Sequence, residues 1–149
     1  MEVNNPSTFI RSDLDEVLFD ALRAVYGLER DKIVTFDLTF EEIYILQFLR
    51  RRKKTCMSDI VAELRIPMST ASRIITRMQN RKLIIRKRDG GDRRNILVKL
   101  CRSGSTLVKR VEDHTYKIIM KNLSSYSPGE IESFYMTAKN LKSILSHNI

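Results

Sequence analysis

MSTASRIITRMQNRKLIIRKRDGGDRRNILVKL, residues 68–100, is the stretch on which the fold turns. Its first half predicts a helix, because Ala71, Ile74, Ile75 and Met78 recur at spacings of three, four and seven, one apolar stripe at helical period. The other positions offer Ser69, Thr70, Ser72, Arg73, Thr76, Arg77, Asn80 and Arg81, with no carboxylate among them. Such a face suits an anionic groove. The second half predicts a two-stranded hairpin, since the β-rich runs LIIRKR and NILVKL flank the turn residues Asp89, Gly90 and Gly91.

Immediately upstream, Ser58 to Leu64 predicts a short helix with Ile60, Val61 and Leu64 apolar, separated from the longer one by Arg65, Ile66 and Pro67. Two helices joined by a tight turn make a helix-turn-helix, and the hairpin makes it a winged one. In that architecture the second helix enters a major groove while the wing reaches the neighbouring backbone or minor groove. The plainer alternative is a helical core with a solvated basic face.

Charge separates the two. Residues 50–110 hold 19 Lys or Arg against 4 Asp or Glu, a net of +15, whereas the two ends together hold 8 basic and 14 acidic residues, a net of −6. This segregation places a polyanion against the middle of the chain, with nucleic acid ahead of an anionic membrane. All eleven aromatic residues lie outside the basic centre, with none between Phe48 and Tyr116. Readers of single strands stack bases on aromatic rings, so duplex DNA is the better partner. A membrane partner is not expected, because no basic helix with bulky anchors and no lipidation signal is visible.

No apolar run reaches the roughly 18 residues of a membrane span, and the start, with Glu2, Asn4 and Asn5, is unlike a signal peptide. A cytoplasmic location follows as an expectation. Cys56 and Cys101 are too few for a disulfide scaffold or zinc site, and His114 and His147 are isolated, so no metal or cofactor is expected. Catalytic patterns such as H-E-x-x-H, G-x-S-x-G, G-x-G-x-x-G and the P-loop are absent, and an enzyme is the remotest reading.

Toward the N-terminus, residues 1–11 read as frayed, and Ser12 is the expected cap of a helix with Leu14, Val17, Leu18, Ala21, Leu22 and Val25 on one side, ending near Gly27 or a few residues beyond. Thr39 and Glu42 form a capping box that opens a helix carrying Ile43, Leu46, Phe48 and Leu49 into the basic run Arg50 to Lys54. Those five cations either touch phosphate or form a solvated turn. Thr55 to Met57 is expected to add a short strand to the wing sheet.

Beyond the wing, Ser103 to about Leu123 predicts a long helix with Leu107, Val111, His114 and Ile118 in one stripe. Ser127, Pro128 and Glu130 then start another, in which Ile131, Phe134, Tyr135, Ala138, Leu141, Ile144 and Leu145 follow at helical spacing. Three amphipathic helices at the chain ends have no separate domain to cover. A homodimer intertwined through both ends buries them, and a self-contained monomer is the alternative.

With these elements in order, the chain resembles the MarR family of bacterial and archaeal regulators over about residues 12–147. Asp89, Asp92, Arg93 and Arg94 followed by NILVKL resemble the family's D-x-x-D-R-R wing signature. Ser69, Thr70, Ala71, Ser72 and Arg73 are similar to its S-T-V-T-R recognition-helix pattern, and Leu38 with Thr39 to the Leu-Thr that opens its second helix.

The resemblance implies a mainly α fold with a small β wing, a winged helix-turn-helix with N- and C-terminal dimerisation helices. It makes residues 1–149 a single domain, with about 38–101 as the winged helix and 12–36 and 102–147 as the dimerisation region. It also implies a homodimer on a pseudo-palindromic operator in double-stranded DNA, acting as a repressor. The DNA-binding residues are then Ser69, Thr70, Ser72, Arg73, Arg77, Asp92, Arg93 and Arg94, with Arg94 in a minor groove by motif position. Asp92 is expected to brace a wing-tip arginine. Arg73 and Arg77, one turn apart, are expected to take a guanine edge and a phosphate, in either order.

Many relatives release DNA when a small aromatic or phenolic acid binds between the helical region and the winged head. Tyr26, Phe36, Phe40, Tyr44, His114 and Tyr116 are the candidate lining here, with ordinary core packing as the alternative. The chain departs from the family's pattern at Cys56, Cys101 and Pro67. Both cysteines precede a helix, where a thiol is either a small half-buried side chain or an oxidant sensor. Pro67 stands where the family often has a Ser or Thr cap. The rival to a sequence-specific regulator is an architectural protein that binds duplex DNA by charge alone.

Overall fold

The computed structural model describes residues 11–91 and 95–146. Among the described residues, six helices and one two-stranded sheet follow in the order α1 (Arg11–Phe36), α2 (Phe40–Arg50), α3 (Met57–Leu64), α4 (Met68–Asn80), β1 (Ile84–Arg88), β2 (Ile96–Leu100), α5 (Arg102–Leu123) and α6 (Pro128–Leu145). The fold is mainly α with a β wing. The chain divides into two compact units between Glu112 and Asp113.

In the first unit, α2, α3, α4, the hairpin and the start of α5 enclose one core. Ala71, Ile75 and Met78 of α4 are fully buried and Ile74 nearly so, which is the predicted stripe. Ile43, Ile45, Leu46 and Ile60 meet them from α2 and α3. Fully burying an aliphatic side chain is worth about 1.5–3 kcal/mol, so this stripe outweighs the polar face in fixing how α4 is turned. In α5 the buried positions are Gly104, Val108 and Val111, so the core stripe lies one residue away from predicted Leu107, which is only half-buried.

Strands β1 and β2 pair antiparallel from Ile84↔Leu100 to Arg88↔Ile96. The predicted third strand shrinks to one bridge, Cys56↔Leu97, with the Val98 N–H donating to Thr55 O at 2.9 Å. Met57 already begins α3, which leaves the chain no length to extend the ladder.

Helix α1 passes through Gly27 and ends at Phe36, beyond the predicted stop. A glycine inside a helix costs only about 1 kcal/mol, and the extra turns are anchored. Lys32 is 3% exposed and paired with Glu29, while Ile33 and Phe36 pack against the core. The helix stops where Asp37 takes φ 52° and the Leu38 N–H returns to Ile33 O at 3.3 Å. The same closure ends α4: Lys82 adopts φ 57°, and the N–H groups of Lys82 and Leu83 return to Gln79 O and Met78 O.

Both predicted capping boxes are present. Thr39 and Glu42 exchange hydrogen bonds at the start of α2, and Ser127 and Glu130 do so at the start of α6. Outside the core, α1 leaves Leu14, Val17, Leu18, Leu22 and Val25 exposed. In the second unit, α6 leaves Phe134, Tyr135, Leu141, Ile144 and Leu145 exposed.

Candidate nucleic-acid interface

Pro67 is the N-cap of α4, with φ −59° and ψ 147°, and Arg65 makes the turn from α3 at φ 52°. Proline has no N–H to leave unpaired at a helix start, so it marks this boundary without a side-chain cap. Opposite the buried stripe, Ser69 and Arg73 are exposed, and Thr70 and Ser72 are half-buried. Arg73 makes no polar contact among the described residues. Arg77 is different: its Nε donates to Glu42 Oε1 at 2.7 Å, and its side chain remains 51% exposed.

Polar bonds flank the face on both sides. Along one edge, Glu42 of α2 takes Arg77 and lies 3.6 Å from Arg81 Nη1. Along the other, Arg86 of β1 donates to Gln79 Oε1 at 2.7 Å and to Thr76 Oγ1 at 3.1 Å. Beside this edge, Ser72, Cys56, Met68, Arg86 and Ile96 line a cavity of about 280 Å³.

The hairpin is held at its tip. Asp89 N–H donates to Asn95 O at 2.9 Å, and the Asp89 carboxylate accepts from Gly91 N–H at 3.3 Å and from Lys54 Nζ at 2.6 Å. Of the predicted site residues, Asp92, Arg93 and Arg94 lie outside the described residues, as does His147. The observed tip ion pair uses Asp89, which the sequence marked as a turn residue, together with Lys54.

The Lys54 ammonium, with help from the Gly91 amide, holds the Asp89 carboxyl below the usual carboxylate range. Reciprocally, the hydrogen bond and charge of Asp89 raise Lys54. For Asp89 the lowered value means that its contribution is complete above the unfolded value of about 4 and is lost as pH falls through the folded one. For Lys54 the contribution is complete below about 10.4 and is lost as pH rises through its raised value. The Gly91 amide resonance should therefore hold steady from pH 5 to pH 9 (about one unit inside each limit) and move on acidification. Asp89→Asn should reproduce the acid spectrum at pH 7, and an identical Gly91 signal in the variant and the parent would remove the tether.

Of the other four cations of the basic run, three have partners in the first unit. Arg50 and Arg51 pair with Glu112 at 3.1 and 3.5 Å, and Arg52 stacks 4.4 Å from the Phe48 ring centroid. Lys53 is exposed.

Of the aromatic residues named for an effector, Tyr26, Phe36, Phe40 and Tyr44 of the first unit are each engaged in local contacts. Phe40 and Tyr44 have centroids 6.0 Å apart, but Tyr44 donates to Glu63 at 2.7 Å, and Phe36 lies under Arg110. Tyr26 accepts from Arg30. A groove of about 740 Å³ opens beside the end of α4, with Lys82, Arg102 and Arg110 around Leu83, Cys101 and Leu107.

Cys56 and Cys101 are free and half-buried. Cys56 is the N-cap of α3, and its N–H donates to Asp59 Oδ2 at 2.7 Å. Among the described residues, no three His, Cys, Asp or Glu gather as an ion site, and no helix is long and apolar enough to cross a membrane.

A helix-turn-helix with a paired wing, whose second helix shows an exposed polar and basic face between two braced edges, defines a winged-helix protein. Residues 36–95 match the model of the MarR family. A MarR family protein from Bacillus stearothermophilus is 19% identical, with a TM-score of 0.81 over 90% of this chain and 94% of that one. A mutant of S. aureus MepR bound to oligodeoxyribonucleotide is 23% identical, with a TM-score of 0.63 over 93% and 99%. Bordetella bronchiseptica BpsR, whose DNA binding is regulated by 6-hydroxynicotinic acid, is 23% identical, with a TM-score of 0.68 over 90% and 96%. No curated protein matches the sequence. Over residues 36–95 the chain is similar to the MarR family, and it has the winged-helix fold of solved MarR family proteins.

Proposed function

We propose that the protein is a sequence-specific regulator of transcription that binds double-stranded DNA as a homodimer on a pseudo-palindromic operator and represses. The observation that carries this is the outer face of α4, which exposes Ser69, Arg73 and Arg77 with no carboxylate in the helix. A duplex major groove admits such a helix and offers both phosphate and base edges to it. The S. aureus MepR mutant bound to oligodeoxyribonucleotide supports the same use of the fold. In this reading Ser69, Thr70, Ser72, Arg73 and Arg77 face the major groove, and Asp92, Arg93 and Arg94 serve the wing beside it.

The exposed apolar residues of α1 and those of α6 support a second copy as their cover. Residues 38–101 are then the reading head, with 12–36 and 102–147 as the dimerisation region. An aromatic or phenolic acid is the proposed releasing signal, and BpsR with 6-hydroxynicotinic acid is the supporting parallel. The groove at Lys82, Arg102 and Arg110, with cations beside apolar side chains, suits such an acid.

Footprinting on genomic fragments at low and physiological salt tests the function. Protection confined to one palindrome is expected, and uniform coating would leave only charge-driven binding. If a dimer neutralises roughly ten phosphates, log affinity should fall against log salt with a slope of about −9. A slope near zero rejects DNA as the ligand. Sedimentation at micromolar concentration should give a dimer, and a monomer there overturns the covering role of α1 and α6.

A further inference from the structure

Glu42 is 1% exposed, and burying a carboxylate is costly unless donors and cations surround it. Its two oxygens have different partners. Oε2 accepts from the Thr39 N–H at 2.9 Å and lies 3.6 Å from Arg81 Nη1, which itself donates to Asp37 O; Oε1 takes Arg77 Nε at 2.7 Å. Capping alone does not require this. In α6 the same box is closed by Glu130, which is exposed and bonded only to Ser127 among the described residues. What Glu42 adds is a grip on the polar edge of α4.

Arg77 commits Nε to that grip, which leaves its two terminal nitrogens as a fork on a half-exposed side chain. A carboxylate on Nε fixes the plane of a guanidinium and so the direction of the fork. Arg73 lies more nearly opposite the buried stripe at 100° per residue, whereas Arg77 sits toward the α2 edge. The central position faces the floor of a groove and the edge position faces its rim.

We propose that Glu42 is a positioning residue: it aims the fork of Arg77 at a phosphate on the groove rim and thereby sets the depth and register at which α4 offers Arg73 to the bases. The proposal rests on the duplex-binding function above. Phosphate contacts carry no sequence information themselves but fix orientation on the duplex. A loose arginine supplies the same charge without that register. The charge on Glu42 also weakens general attraction to phosphate, so the residue favours specificity over indiscriminate affinity.

The test uses the full chain, one duplex selected by the wild type from a random-sequence library and one scrambled duplex of equal length. Glu42→Gln keeps an oxygen for the Thr39 amide but removes the charge. It should bind the scrambled duplex as well as the wild type or better, while the ratio of selected to scrambled affinity falls about tenfold. Arg77→Lys keeps the charge but not the fork, so the ratio should fall similarly, and adding Glu42→Gln should then change it little. Thr39→Ala weakens the cap and leaves the carboxylate–guanidinium pair, so it should lower thermal stability with the ratio intact. An unchanged ratio in Glu42→Gln, additive losses in the double variant, or an equal loss in Thr39→Ala overturns the positioning role. Should Glu42→Gln fail to fold, an unchanged ratio in Arg77→Lys overturns it alone. A wild type with no preference between the duplexes overturns the proposed function itself, a distinct result.

Discussion

Replacing Gly104 with Ala should destabilise the protein by about 2–3 kcal/mol and lower its Tm by roughly 8 °C. A methyl at this position would stand 2.0 Å from Leu83 O and 2.9 Å from Leu83 C, with Leu100 Cδ2 at 3.3 Å. Alanine favours a helix over glycine by about 1 kcal/mol, so propensity alone predicts the opposite sign. Sterics win because the nearest obstacle is the Leu83 backbone rather than the far end of a flexible side chain. Leu83 O already accepts from Cys101 N–H at 2.9 Å, and the Ser103 hydroxyl donates to Lys82 O, so the turn after α4 is bonded to the start of α5. Relief requires α5 to move off that turn, which also disturbs the register of β1 and β2 at Ile84↔Leu100. A thermal melt checks the prediction, and a variant as stable as the parent would mean that α5 does not approach Leu83 this closely.

The elements that were legible in the sequence are those whose cause is local. The stripe Ala71, Ile74, Ile75 and Met78, and the boxes Thr39 with Glu42 and Ser127 with Glu130, depend on residues within one or two turns, and each appears where its spacing places it. Gly27 misled because a weak local breaker was weighed without Ile33 and Phe36, whose packing against the core carries α1 onward. Gly104 carried no signal, since its need for a bare Cα arises only when Leu83 arrives from another element. The same holds for Glu42 with Arg77 and for Lys54 with Asp89. Each pair is 35 residues apart in sequence, so neither spacing nor composition announces it. Local chemistry marked Arg77 as a DNA contact, and the fold also gives it a partner in Glu42.

That partnership sharpens the contrast between the two arginines of α4. Arg73→Ala should leave the melting temperature within about 1 °C of the parent, because the side chain is exposed and makes no polar contact among the described residues. Its effect should appear on DNA. Losing a base-reading arginine costs about 1–3 kcal/mol per half-site, so a dimer that uses both copies should lose roughly 30-fold to 20,000-fold in affinity for its selected duplex. Binding to a scrambled duplex should fall much less, since only charge is removed there. Arg94→Ala in the wing gives the informative comparison. A residue that serves mainly the phosphate field should weaken both duplexes alike and reduce the salt slope by about one unit for each phosphate no longer neutralised. Fluorescence anisotropy across a salt series reads both quantities from the same samples. Equal losses on the selected and scrambled duplexes with Arg73→Ala would take base reading away from Arg73 and leave it as one more cation on the face.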